Sequence, residues 1–95
     1  MESKYVIERT YSAGVFSGTV VSRKGQEVIL KNARRLWYWD GAACRSQLAV
    51  DGVSNPEKCK FPVEVKQILF LQAIEIIPCT AKARVSIAGV KIWEN

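Results

Sequence analysis

The chain predicts an α+β fold: a small, mostly antiparallel, curved sheet or open barrel of five to six strands with two short helices. Three observations carry that expectation. Three strand-like apolar runs follow one another in the first half of the chain, separated by glycine-bearing turns. A strongly apolar run from 67 to 77 ends at Pro78. Two short segments carry helix start and stop signals instead of strand composition.

The elements follow in order. Residues 4 to 10, KYVIERT, have strand composition and precede the small-residue turn Tyr11-Ser12-Ala13-Gly14. Residues 15 to 23, VFSGTVVSR, form a second strand, and its interior Gly18 signals a bulge or a close backbone approach. Lys24-Gly25-Gln26 is a hairpin turn, and Glu27 to Trp39 reads as a long third strand. Consecutive strands on short turns imply an antiparallel meander. Asp40 is then a candidate N-cap for a helix from Ala42 to Asp51 that ends at Gly52, with Cys44 and Leu48 facing the core. Phe61 to Val65 reads as a short edge strand because of Pro62. The 67–77 run is one strand, or two broken around Gln72. Thr80 caps a second helix, Ala81 to Ala88, closed by Gly89, and Val90 to Trp93 supplies a last strand.

Ninety-five residues make one domain, 1–95. The 48% hydrophobic content supports a real core. Fourteen Lys and Arg against nine Asp and Glu give a net charge of +5, which favours anionic partners. The basic residues are dispersed, so no nucleic-acid-binding tail is expected. No apolar stretch reaches the roughly 18 residues of a membrane helix, and the N-terminus does not read as a signal peptide. Three widely spaced cysteines, Cys44, Cys59 and Cys79, are expected as free thiols in a reducing cytosol. A domain this small with three tryptophans is expected to associate into a homo-oligomer.

Residues 28 to 41, VILKNARRLWYWDG, are the most informative stretch. Strict alternation puts Val28, Leu30, Leu36 and Tyr38 on one face, and Lys31, Ala33, Arg35, Trp37 and Trp39 on the other. Cations beside large flat rings suit a ligand that is both anionic and aromatic. Guanidinium groups fork onto phosphate and indoles stack on bases. The competing reading is packing alone, with the tryptophans in the core and the arginines covering an edge. On the ligand reading, Arg34 and Arg35 meet phosphate, and Trp37, Tyr38 and Trp39 stack. Tyr11 and Ser12 complete the pocket from the neighbouring turn, whose amides form an anion nest or simply a turn.

Catalysis has little to build on. There is no histidine, hence neither the common general base nor the common metal ligand. GxGxxG, GxxxxGK[ST] and GxSxG are all missing. Cys79 lies ahead of a capped helix, yet no histidine can serve as its base, and a small buried residue explains it as well. Glu75, inside an apolar run, is expected on a solvated face or paired with Arg34 or Arg35, or else hydrogen-bonded to a base or ribose. No cofactor and no metal is expected.

The phrases RTYSAGVFSG, ILKNARRLWYWDGA and AIEIIPCT resemble a family of small proteins encoded by tailed phages and prophages. The likeness runs nearly end to end, and the arginine–aromatic phrase is its most specific part. It implies a phage-borne, single-domain protein of the host cytoplasm and carries no activity with it. Phages use many small accessory proteins against host defence. The expectation is therefore a non-enzymatic protein that binds and sequesters a small nucleotide-like defence signal. The alternatives are a single-stranded nucleic-acid-binding protein and an inhibitor docking on a host protein through its aromatic–basic face.

Overall fold

A computed structural model of the protein describes residues 4–12, 14–42 and 44–93. Strands β1 (Tyr5–Thr10), β2 (Val15–Lys24) and β3 (Glu27–Arg35) are followed by helix α1 (Arg45–Asp51) and a 3-10 turn (Pro56–Lys58). Strands β4 (Val65–Phe70) and β5 (Ala73–Pro78) and helix α2 (Ala81–Ala88) complete the chain. The fold is α+β, with one open five-stranded sheet in the order β4-β3-β2-β1-β5 and every pairing antiparallel.

The two edge strands are consecutive in sequence and joined only by Leu71 and Gln72. A link that short cannot cross a flat five-stranded sheet, so the sheet curls and brings its edges together. The turn ends record the curl: the Tyr11 amide donates to the Gln72 carbonyl and the Ala73 amide to the Gln26 carbonyl, both at 3.0 Å.

Curling gives the sheet two buried faces. Ile7, Leu36, Leu48, Ala49, Val53, Cys59, Phe61, Ile87 and Val90 pack between sheet and helices. Val6, Phe16, Val28, Leu30, Ala33, Phe70 and Ala73 fill the inside of the curl. There the rings of Phe16 and Phe70 sit 4.6 Å apart, centroid to centroid.

The expected alternation along β3 does not hold through its whole length. Ser17 pairs with Arg34 but Thr19 pairs with Lys31, so Asn32 and Ala33 both lie opposite Gly18. This is a bulge, and Asn32 takes the left-handed φ of 52° that it requires. Gly18 marks a close approach of the two strands: an added Cβ would stand 3.2 Å from the Leu30 side chain and the Lys31 carbonyl. The extra residue reverses the facing of everything after it. Ala33 therefore joins Val28 and Leu30 inside the curl, while Leu36 joins the helix-side core.

Four boundaries differ from expectation. β3 stops at Arg35 because its partner changes: the Leu36 amide goes to Val15, and those of Trp37 and Tyr38 go to Lys60. α1 starts at Arg45 with Cys44 at the N-cap position, so Cys44 is exposed instead of facing the core. Asp40 is not a cap; its carboxylate accepts from Asn55 Nδ2 at 2.8 Å. The segments at Phe61 and Ile92 form one parallel bridge with each other, not full strands. Two other boundaries fall as expected: the apolar 67–77 run breaks at Leu71–Gln72, and Thr80 caps α2 by accepting from the Ala83 amide at 3.1 Å.

Candidate functional site

Arg34 and Arg35 leave β3 in opposite directions. Arg34 turns to the helix side, is 6% exposed, and donates to four carbonyls. These are Pro62 (3.1 Å), Phe61 (3.1 Å), Ile87 (3.0 Å) and Val90 (2.7 Å). Its guanidinium thus ties the end of α2 to the segment before β4. Arg34 is framework and leaves the candidate ligand contacts, because its donors are already committed.

Arg35 turns the other way and lies over the Phe16 ring, 4.5 Å from its centroid. It also lines a groove of about 430 Å³ with Ser12, Gly14, Val15, Leu36, Trp37 and Trp39. The turn after β1 forms one wall. Gly14 has φ +102°, and a Cβ there would stand 3.4 Å from Arg35 Nη1, so the turn backbone passes close to the guanidinium.

The groove unites four of the seven residues singled out from sequence: Ser12, Arg35, Trp37 and Trp39. Trp37 is 64% exposed, whereas Trp39 is half-buried against the helix-side core. Packing and surface roles are thus divided between the two indoles. Tyr38 lies outside the groove lining, 50% exposed and bridged to Lys60. Tyr11 is 76% exposed and also outside the lining.

A second groove, of about 610 Å³, is lined by Pro56, Glu57, Cys59, Gly89, Lys91, Ile92 and Trp93. Lys60 Nζ stands 5.5 Å from the centroid of the Trp93 ring. Sequence reading passed over this pair. The signal was present in the Lys91-Ile92-Trp93 alternation, but the long-range pairing of Phe61 with Ile92 is what brings Lys60 near.

Two other candidates resolve simply. Glu75 pairs with neither Arg34 nor Arg35; its carboxylate accepts from Arg45 Nε at 2.9 Å. Burial pushes the Cys79 thiol up to about 11, so it is not a thiolate nucleophile at neutral pH. None of the three cysteines is in a disulfide. Cys44 is the thiol pulled below its ordinary range, chiefly by the backbone amides of Gln47 and Ser46. No helix among the described residues is long and apolar enough to cross a membrane.

Fold and groove together define a small α+β module: a curled open sheet with an arginine–tryptophan groove at one end. Residues 3–87 match the family described as a domain of unknown function, DUF6948, and the chain belongs to that family. No curated protein and no solved structure matches it.

Proposed function

We propose that this protein binds a small nucleotide-like ligand, without catalysing a reaction on it, in the groove between the Gly14 turn and the Arg35–Trp39 segment. One observation carries the reading: the groove places a guanidinium, a serine hydroxyl and two indoles around one open volume. Arg35 meets phosphate, Ser12 donates to it, and the exposed Trp37 ring stacks on the base. In the phage setting that the sequence resemblance implies, such a protein acts in the host cytoplasm. It assembles as a homo-oligomer and sequesters a defence signal stoichiometrically.

Isothermal calorimetry with a panel of cyclic nucleotides and ADP-ribose tests this, with tryptophan fluorescence read in parallel. Binding with quenched fluorescence, lost in Trp37→Ala, is the expected result. No heat and no quenching with any member of the panel would sink it.

A second reading has its own support. The Lys60–Trp93 pair is joined to the Trp37–Tyr38 segment through the Lys60 backbone, so an extended single strand has two aromatic–basic stations available. Salt separates the two. A strand engaging several cations loses affinity steeply with rising salt, whereas a ligand with one or two phosphate contacts shows a shallow slope.

A further inference from the structure

Glu8 is the anomalous group of this fold. It lies on β1, paired with Phe16 of β2 on one side and with Ile76 of β5 on the other. Phe16 pairs in turn with Arg35 of β3. Ile76, Glu8, Phe16 and Arg35 thus form one row across four strands. Directly opposed residues share a face, and this face is the inside of the curl.

The Glu8 side chain is 0% exposed, and neither carboxyl oxygen has a hydrogen-bond partner. The surrounding face is apolar: Val6, Phe16, Leu30, Ala33, Phe70 and Ala73. Its charged members lie further off. On β3 it is Arg35, with the Phe16 ring between it and Glu8. On β2 it is the exposed Arg23, which pairs with Val28 and across the curl lines a cleft with Ile76, the β5 neighbour of Glu8, and on β4 it is the exposed Lys66. On β1 itself Arg9 takes the opposite face, and on β5 Glu75 does too, paired with Arg45 of α1. Burial alone pushes the Glu8 carboxyl up to about 7. A buried acid without a partner costs stability, and its place behind the groove's one arginine gives it a use.

We propose that Glu8 is a positioning residue for the groove, making capture of an anionic ligand proton-linked, so that the site holds the anion best when Glu8 carries its proton. This rests on the nucleotide-binding reading above. Two interstrand spacings separate Glu8 from Arg35, roughly 10 Å. Across an apolar interior at that distance, an ionised Glu8 offsets part of the field that Arg35 presents to a phosphate. By linkage, a bound anion in turn favours the protonated form of Glu8, and binding near neutral pH takes up a proton.

Calorimetry with cyclic AMP tests this, because its phosphodiester does not titrate near neutrality. Between about pH 6 and pH 8 the affinity of the unaltered protein falls by roughly threefold to tenfold. Titrations in buffers of different ionisation enthalpy show proton uptake. In Glu8→Gln, which mimics the protonated acid, affinity is flat with pH and the uptake vanishes. Affinity independent of pH in the unaltered protein, or a slope that survives in Glu8→Gln, overturns the proposal and leaves the binding reading standing. No binding at any pH overturns both. Should Glu8→Gln fail to fold, carbon NMR of the Glu8 carboxyl decides instead. Its titration midpoint must rise when cyclic AMP is added, and a midpoint that stays put overturns the proposal.

Discussion

Arg34 and Arg35 are adjacent in the chain and lie on opposite faces of the sheet, one sealed under α2 and one over the Phe16 ring beside an open groove. The same residue type therefore meets two different environments at neighbouring positions, and substitution separates them.

Arg34→Ala removes the donor shared by the carbonyls of Phe61, Pro62, Ile87 and Val90. The expected loss is on the order of 3 kcal/mol in folding free energy: four charge-assisted bonds go, the Pro62 and Val90 carbonyls lose their side-chain donor, and Phe61 and Ile87 keep only the amides of Trp93 and Val90. Arg34→Lys recovers little, since an ammonium cannot span that fork. Urea denaturation of the three proteins measures it; a midpoint unchanged in Arg34→Ala would remove the framework role.

Arg35→Lys behaves differently. Stability changes by less than about 1 kcal/mol, the scale of an aromatic contact by a partly exposed cation. Affinity for a nucleotide falls roughly tenfold to a hundredfold, because the planar fork onto phosphate is lost. Melts and calorimetry on the same samples separate these effects. Lost stability with unchanged affinity would return Arg35 to the core.

Glu8 sets a pH dependence of folding. Its carboxyl titrates near 7 when folded, against an ordinary 4.5. Between these values the folded chain therefore holds a proton that the unfolded chain has released, and this group's own contribution to stability is most favourable below pH 4.5. It declines from there to about pH 7 and levels off above, a loss on the order of 3 kcal/mol from this one group. Comparing Glu8→Gln with the unaltered protein at several pH values isolates the contribution. Parallel stability curves for the two would contradict it.

Gly41 and Gly25 both hold positive φ, at +93° and +60°, but only Gly41 is crowded. A Cβ at Gly41 would run into the side chain and amide of Ser54, while one at Gly25 meets open space. Gly41→Ala should cost on the order of 2 kcal/mol or more, and Gly25→Ala about 1 kcal/mol. Equal costs in thermal melts would mean that the 41–54 contact yields without strain.

Much of this architecture is legible in the chain because its signals are local. The meander rests on apolar runs with glycine turns between them, and α2 on a threonine three residues before the amide it caps. What escaped depends on two partners at once. Asn32 reads as an ordinary strand residue until Gly18 lies opposite, and only then does its bulge reverse the facing of Ala33 and Leu36. Asp40 has the chemistry of an N-cap, yet Asn55 takes its carboxylate, and Arg45 on α1 claims Glu75. In the groove, Ser12, Arg35, Trp37 and Trp39 were readable as a cluster. That Arg34 would be withdrawn was not, since its four acceptors come from distant segments.

The placement of β1 between β2 and β5 bears on how the chain is made. A ribosome delivers β1, β2 and β3 together, and that hairpin pair can form at once. The other edge of β1 waits for residues 73 to 78, which emerge only after β3, α1 and β4. Throughout that interval a strand edge with open amides and carbonyls, carrying Val6 and Ile7, faces its surroundings unpaired. Nascent chains arrested before β5 should therefore be the species most prone to aggregate and most in need of a chaperone, and emergence of β5 should end that exposure.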